Sequence, residues 1–235
     1  MKRRVDLSIL LPIYNPPSGW AQSLEHSLGN LVQQFEGLEL KFYLINDGST
    51  TYIEPDVDAL RRTFPQLEYL TYAKNQGKGF AIRTGMQQAD SEFYIYTDWD
   101  FPFGENAVFE TYQKLTQNSA DLLIGVRSRS YFASLPWFRK IISQGLRILN
   151  FFVLKFNYVD TQAGIKGLST RAKSIFLKNK TRSFIFEVEF IRDCFRQNLN
   201  INYLTVSHRQ DITFSNFGMK TIFRELTVLM RIILT

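Results

Sequence analysis

Short apolar segments alternate with amphipathic segments along the first half of the chain. The apolar segments are rich in β-branched and aromatic residues and are apolar at nearly every position, which is typical of parallel strands covered on both faces by helices. The segments between them have the spacing of helices that bury one face. The pattern therefore predicts an α/β fold, a mainly parallel twisted sheet flanked by helices. The predicted strands are 7–15, 40–47, 67–73, 93–98 and 121–126, and the predicted helices are 20–35, 57–64, 79–89 and 105–115.

Polar residues follow three of the predicted strands directly. The first strand ends in "YNPPSG", the second in "NDGST" and the fourth in "TDWD". Ligands of parallel sheets bind beyond the carboxyl ends of the strands. We therefore expect these three loops to converge on one crevice.

The "TDWD" loop places two carboxylates, Asp98 and Asp100, on either side of Trp99. Neighbouring carboxylates repel each other unless a cation lies between them, and a divalent metal ion is the natural candidate. The alternative is that Asp98 caps a turn or helix while Asp100 is solvated.

Two further loops have polar groups suited to a ligand. In "NDGST", Gly48 can adopt a positive φ, and Asp47 can accept hydrogen bonds. The segment "KNQGKGFAIRTGMQQA" places Lys78 at the start of a predicted helix, where backbone N–H groups favour anions. This segment has neither the Walker spacing nor the dinucleotide-binding fingerprint.

The net charge of +6 is distributed unevenly. Residues 1–123 contain 10 Lys and Arg against 16 Asp and Glu, whereas residues 124–235 contain 18 against 6. The basic half is suited to nucleic acid, to the phosphates of a smaller ligand or to an anionic membrane surface. Because no DNA- or RNA-binding signature accompanies it, we expect no nucleic-acid partner.

The remaining features of the chain favour one globular unit in a reducing compartment. Cys194 has no second cysteine to pair with, so no disulfide framework is expected. The apolar run near the N-terminus contains Pro12 and lacks a small-residue cleavage site, so it is interpreted as a first core strand, not a signal peptide.

Five segments in order resemble the glycosyltransferase family 2 pattern, and the similarity extends over about residues 5–210. They are "LLPIYNPP", "LINDGST", "NQGKGFAIRTGMQQA", "YTDWD" and "DTQAGIKG". The resemblance implies a GT-A fold that binds a nucleotide sugar. The last segment, followed by "FIFEVEFI", is similar to the branch that loads a sugar onto a polyprenyl phosphate.

The resemblance implies roles for residues on the donor side. Asp98 and Asp100 would hold Mg²⁺ or Mn²⁺ on the diphosphate of a UDP- or GDP-linked sugar. The branch often has a glutamine where this chain has Pro102, so the resemblance supplies no third protein ligand there. The implied donor-binding set is Pro12, Tyr14, Asn15, Asp47, Lys78, Asp98 and Arg209.

The resemblance also implies an acceptor-phosphate site formed by Arg127, Arg139 and Ser143. Arginine forks suit phosphate oxygens. The catalytic set is expected to be Arg127 with the acids Asp160 and Glu189, and the alternative for either acid is that it caps a helix or fixes a loop.

Two apolar segments with cationic faces, 137–156 and 217–234, lie in the basic half. They are interpreted either as core helices or as helices in a membrane surface, and neither is long and apolar enough to span a membrane. We expect residues 1–212 to form the glycosyltransferase domain and 213–235 an amphipathic, membrane-interfacial C-terminal helix. The predicted function is a metal-dependent, inverting transfer to a polyprenyl (dolichyl or undecaprenyl) phosphate by a peripheral protein at the cytosolic membrane face. The alternative is extension of a surface polysaccharide on a sugar hydroxyl.

Overall fold

The computed structural model describes residues 5–128, 163–181 and 186–209. Strands and helices alternate through the first half, as the apolar pattern predicts. The strands are β1 (Val5–Ile13), β2 (Leu40–Asn46), β3 (Leu67–Thr71), β4 (Ser91–Tyr96), β5 (Leu122–Arg127), β6 (Lys166–Ser169) and β7 (Ile201–Val206). The helices are α1 (Trp20–Gln34), α2 (Glu54–Thr63), α3 (Lys78–Gln88), α4 (Glu105–Gln117), α5 (Thr170–Phe176) and α6 (Phe186–Arg196).

The strands described form one sheet in the order β3-β2-β1-β4-β6-β5-β7. β1 pairs in parallel with β2 and β4, β2 with β3, and β5 with β7. β6 is inserted between β4 and β5 and runs antiparallel to both. The prediction of a mainly parallel sheet flanked by helices is therefore confirmed.

Both faces of the central strand are buried, which explains why its sequence does not alternate. Leu7, Ile9 and Leu11 pack on one side with the apolar faces of α1, α2 and α4, and Leu10 packs on the other with α3, α5 and α6. Each of these four side chains is 0% exposed. Burying one such side chain stabilises the fold by about 1.5–3 kcal/mol, so the helices on each face are held to the sheet by a hydrophobic cluster of their own.

The register brings the three polar loops to one edge of the sheet. Ile13 pairs with Asn46, so the loops after β1 and β2 start side by side. Leu10 pairs with Tyr96, and the N–H of Thr97 donates to the carbonyl of Leu10 at 3.2 Å. The loop after β4 therefore leaves the sheet at the same edge, as expected for one crevice.

The antiparallel strand β6 starts at this edge, because Lys166 pairs with Tyr96 at the end of β4. The turn before it, at Ala163 and Gly164, consequently lies beside the loop after β4. Residues 129–162, 182–185 and 210–235 lie outside the described part of the chain, and the predicted C-terminal helix 213–235 and the apolar segment 137–156 fall there.

Candidate active site

The acidic loop after β4 is the centre of the candidate site. Asp98 is partly exposed, and its Oδ1 lies 2.5 Å from the Nζ of Lys78, the first residue of α3. Trp99 turns the other way and packs edge-on against Trp20 with ring centroids 6.2 Å apart. Asp100 is exposed at the tip of the loop. The aromatic residue anchors the loop to α1, and the two carboxylates remain at the crevice.

Electrostatic coupling joins the charged groups of this loop. Desolvation and then the charge of Asp98 raise the pKa of Asp100, while Lys78 and Arg209 act in the opposite direction. Desolvation lowers the pKa of Lys78, but the carboxylates Asp98, Glu187 and Asp100 outweigh it and leave that pKa above its ordinary value. Lys78 is therefore a cation within an acidic cluster.

Gly164 forms one wall of the acidic site. A Cβ at this position would lie 2.5 Å from the Oδ2 of Asp98 and 3.3 Å from the Nζ of Lys78. A side chain there would overlap with the carboxylate. Glycine thus allows the turn before β6 to approach Asp98 closely.

Asp47 lies at the end of β2, is 4% exposed and holds the loop that precedes α3. Its Oδ1 accepts hydrogen bonds from the Tyr72 hydroxyl at 2.7 Å and from the N–H of Gln76 at 2.8 Å. Its Oδ2 accepts from the Asn75 side chain and from the N–H of Gly77, both at 2.9 Å. In the described structure Asp47 organises the residue 72–77 loop, and direct contact with the donor stays a prediction.

The loop after β1 carries three of the predicted donor-binding residues. Pro12 is buried within β1, whereas Tyr14 is 48% exposed at the crevice. Asn15, at a φ of 43°, accepts hydrogen bonds at Oδ1 from the N–H groups of Thr50 at 2.8 Å and Thr51 at 3.3 Å. Asn15 therefore ties the first loop to the second and leaves Tyr14 available to a ligand.

Arg209 and Arg127 belong to the other half of the chain. The backbone N–H of Arg209 donates to the carbonyl of Pro102 at 2.9 Å, so this residue contacts the acidic loop directly. Arg127 is the last residue of β5 and pairs with Val206. Asp160, Arg139 and Ser143 lie outside the described residues, so their predicted roles stay predictions.

A buried polar cluster lies beneath the acidic loop. Lys166 is 0% exposed, and its Nζ lies 3.0 Å from Oε1 of Glu187 and donates to the carbonyl of Ala163 at 2.5 Å. The Tyr96 hydroxyl donates to the same Glu187 oxygen at 3.0 Å. Glu189, the acid expected on the catalytic side, accepts instead from the N–H of Thr181 at 3.0 Å. A contact of this kind is what the alternative interpretation of Glu189, an acid that fixes a loop, would produce.

The sequence contains one signal that could have identified this cluster. Lys166 stands in "GIKGLS", a short segment with strand character, and a lysine that is buried in a strand requires a counter-charge. The acids in "FEVEF" are its candidates, but their two-residue separation places them on different sides of a helix. Choosing Glu187 over Glu189 therefore needs the orientation of α6.

The acidic loop fits a divalent cation of the Mg²⁺ or Mn²⁺ type. Among the described residues, no group of three or more His, Cys, Asp and Glu side chains converges as a metal site. Mg²⁺ is commonly held by one or two carboxylates together with substrate phosphates. Asp98 and Asp100 provide such a pair, and after desolvation the charge of Asp98 is the next cause of the raised pKa of Asp100.

No helix within residues 5–128, 163–181 and 186–209 is both long and apolar enough to cross a membrane.

Comparison with known proteins gives one family and several relatives. The family model described as glycosyl transferase family 2 matches residues 8–176. The dolichyl-phosphate β-glucosyltransferase of Saccharomyces cerevisiae is 23% identical over 222 residues, covering 86% of this chain and 66% of that one. Its counterpart in Drosophila melanogaster is 25% identical over 202 residues, covering 80% and 62%. The chain thus spans less than two thirds of the length of these relatives.

Solved structures share the fold. Glucosyl-3-phosphoglycerate synthase from Mycobacterium tuberculosis, in complex with UDP, has a TM-score of 0.69 at 14% identity and covers 98% of this chain and 79% of that one. A mannosyltransferase from Pyrobaculum calidifontis, in complex with GDP-Man and Mn²⁺, has a TM-score of 0.61 at 13% identity, with coverage of 88% and 57%. The fold is therefore that of GT-A glycosyltransferases, as the resemblance implied.

Proposed function

The chain belongs to glycosyl transferase family 2, and we propose that it transfers a sugar from a UDP- or GDP-linked donor to a polyprenyl phosphate. The observation that carries the proposal is the acidic loop at the carboxyl edge of the sheet, where Asp98 pairs with Lys78 and is separated from Asp100 by Trp99 alone. This edge is where open α/β sheets bind their ligands. The two similar dolichyl-phosphate β-glucosyltransferases support the choice of acceptor.

The donor lies across the loops after β1, β2 and β4 in this proposal. Tyr14 contributes an exposed aromatic surface beside the first loop. Asp47 holds the residue 72–77 loop in the conformation that presents Lys78. Lys78 pairs with Asp98 and the backbone of Arg209 contacts Pro102, so in this proposal each cation neutralises part of the diphosphate charge. These residues therefore hold the donor so that the acceptor can attack its anomeric carbon from the side opposite the diphosphate.

A divalent cation would be held by Asp98 and Asp100. When bound, it would neutralise the charge that develops on the departing diphosphate. Lys78 already contacts Asp98, and the charges of Asp98 and Glu187 favour its protonated form. The ammonium group of Lys78 thus remains available to a diphosphate oxygen.

A phosphate acceptor explains why the proposal needs no strong general base. A phosphate monoester has a second pKa of about 6, so near neutral pH it is already largely ionised and nucleophilic. Arg127, at the end of β5, is positioned on the acceptor side of the sheet edge in this proposal, together with Arg139 and Ser143. A sugar hydroxyl acceptor would instead require a carboxylate to take its proton.

A lipid-linked acceptor also implies contact with a membrane surface. The excess of cations in residues 124–235, 18 against 6 acids, suits an anionic surface. We therefore propose a peripheral protein that acts at the cytosolic face of a membrane.

The test is sugar transfer by the full chain in mild detergent. Labelled UDP-glucose and GDP-mannose are each supplied with dolichyl or undecaprenyl phosphate and Mn²⁺, and a matched reaction contains EDTA. We expect a lipid-linked sugar of inverted anomeric configuration with one of the donors, and loss of product in EDTA. Transfer to oligosaccharide hydroxyls but not to lipid phosphate would reject the proposed acceptor, and equal rates in EDTA would reject the cation.

A further inference from the structure

The buried pair Lys166 and Glu187 requires an explanation beyond stability. Lys166 is 0% exposed and Glu187 is 4% exposed. Removing two such charges from water costs several kcal/mol each, and well-packed apolar residues of similar volume often stabilise a core as well or better. A buried ion pair at this place in the fold therefore suggests a positioning role.

The contacts of Lys166 connect the pair to the turn before β6. Its ammonium group donates to the carbonyl of Ala163 at 2.5 Å, and the same carbonyl accepts from the N–H of Ile165 at 2.8 Å. Gly164 lies between these residues and approaches Asp98 too closely to allow a Cβ. The ammonium of Lys166 thus fixes the turn that forms one wall of the acidic site.

The position of Glu187 in α6 links the ion pair to a second wall of the acidic site, the start of α3. The neighbouring Phe186 packs against the Cα of Gly79, where an added Cβ would lie 2.8 Å from the Phe186 side chain. Gly79 follows Lys78 at the start of α3. The start of α6 is therefore in close contact with the helix end that presents the Lys78 ammonium to Asp98.

Tyr96 completes the arrangement. It is the last residue of β4, just before the acidic loop, and its hydroxyl donates to Glu187 at 3.0 Å. Glu187 Oε1 therefore accepts a hydrogen bond from the strand that leads into the acidic loop and forms an ion pair with the strand that follows the Gly164 turn.

We propose that Lys166 and Glu187 form a positioning pair that holds the Ala163–Gly164 turn and the start of α3 against Asp98, and so sets the orientation of this carboxylate for a divalent cation. The inference rests on the proposed function in one respect, the cation at Asp98 and Asp100. Neither Lys166 nor Glu187 contacts the cation or the reacting atoms. Groups that orient metal ligands in this way typically change metal affinity by about 10- to 100-fold when they are replaced.

The experiment uses the full chain and the variants Glu187→Gln, Lys166→Met and the double variant. Binding of Mn²⁺ in the presence of UDP, and in parallel GDP, is followed by the electron paramagnetic resonance signal of free Mn²⁺. Thermal unfolding is measured on the same samples. Lys166→Met leaves a buried carboxylate without its cation and is expected to unfold most easily.

The double variant separates positioning from stability. It removes both charges together, so its unfolding midpoint should return toward that of the wild type, but its Mn²⁺ affinity should remain about 10-fold weaker. Tyr96→Phe, which removes a single hydrogen bond to Glu187, provides a milder variant if the others fail to fold. A smaller loss of Mn²⁺ affinity is expected for it.

The matched control is Ser91→Ala at the other end of β4. The Ser91 hydroxyl shares a buried hydrogen bond with Ser8 at 2.5 Å, far along the strand from the acidic loop. We expect reduced stability and unchanged Mn²⁺ affinity for this variant.

The measurements test two claims separately, the positioning role of Lys166 and Glu187 and the proposed cation dependence. A folded double variant with wild-type Mn²⁺ affinity would overturn the positioning role alone, and so would an equal loss of affinity in Ser91→Ala. A wild-type chain that binds no Mn²⁺ with either nucleotide would overturn the proposed cation dependence and this inference with it.

Discussion

Replacing Gly164 with alanine tests whether the orientation of Asp98 controls activity. The added Cβ would lie 2.5 Å from the Oδ2 of Asp98, and a relaxed carbon–oxygen contact is about 3.3 Å or longer. The carboxylate therefore has to move by roughly 0.8 Å. The Nζ of Lys78, 3.3 Å from the same Cβ, restricts the directions in which it can move.

The expected effect on stability is small because two contributions oppose each other. The Cβ meets the end of a side chain that can rotate, and an off-rotamer side chain costs about 0.5–1.5 kcal/mol. Replacing glycine with alanine restricts the unfolded chain and contributes about 0.4–1 kcal/mol in the stabilising direction. We therefore expect the unfolding midpoint of Gly164→Ala to lie close to that of the wild type.

The expected effect on activity is much larger. A displacement of about 1 Å in a catalytic site can reduce the rate by about 100-fold, which corresponds to roughly 2.7 kcal/mol of transition-state stabilisation. We expect kcat/KM for the nucleotide sugar to fall by a factor of this order, together with weaker Mn²⁺ binding. Steady-state transfer kinetics with varied donor and a calorimetric Mn²⁺ titration measure the two quantities.

Gly29→Ala in α1 is the matched control, since a Cβ at that position has no atom within 4 Å. Alanine favours a helix over glycine by about 0.5–1 kcal/mol, so this variant should be slightly more stable and fully active. Wild-type kcat/KM and Mn²⁺ affinity in Gly164→Ala would refute the reasoning, because the carboxylate would then tolerate the displacement.

Three further predictions concern the donor, the loop that supports it and the acceptor. Asp98→Asn and Asp100→Asn should each weaken nucleotide-sugar binding in the presence of Mn²⁺ and have little effect in EDTA, because the proposed role of the two carboxylates is to hold the ion. Calorimetry measures both conditions, and equal weakening in EDTA would contradict this role. Asp47→Ala should lower the free energy of unfolding by at least about 2 kcal/mol and increase proteolysis within residues 72–77, since four donors lose their acceptor. A denaturant titration that gives wild-type stability would exclude this supporting role of Asp47. Arg127→Ala should raise the KM for lipid phosphate by about 10-fold or more with little change in the KM for the donor. The reason is that it removes a charge-assisted hydrogen bond to the acceptor phosphate, and such a bond contributes about 1.5–3 kcal/mol. A change confined to the donor KM would place Arg127 on the diphosphate.

The apolar pattern was sufficient to predict the first half of the fold. Parallel strands that are buried on both faces are apolar throughout, so their bounds can be read from the sequence with errors of a few residues. The convergence of the polar loops followed from the same property, because parallel strands end at a common edge. The paired positions of Ile13 with Asn46 and of Leu10 with Tyr96 confirm that expectation.

The antiparallel insertion of β6 between β4 and β5 could not be predicted in the same way. β6 has only four residues, Lys166–Ser169, and begins with a lysine, so it lacks the length and the apolar pattern of the other strands. Its position depends on long-range pairing with Tyr96 and on the buried Glu187. The ion pair between Lys166 and Glu187 also determines which acid of "FEVEF" lies beneath the site. The sequence pattern of one helix does not contain that information.

Asp47 illustrates the difference between predicting where a residue lies and predicting what it does. Its position at the carboxyl end of β2 follows from the strand pattern, but its partners come from a loop 25 to 30 residues further along the chain. An ionised carboxylate has about four lone-pair sites, and the four donors from Tyr72, Asn75, Gln76 and Gly77 match that number. A nucleotide hydroxyl or base can therefore bind Asp47 only by displacing or sharing one of these donors, and the side chains of Tyr72 and Asn75 can move more easily than the two backbone N–H groups. If donor binding does engage Asp47, the residue 72–77 loop must rearrange at the same time, and that rearrangement would be transmitted to Lys78 and through it to Asp98.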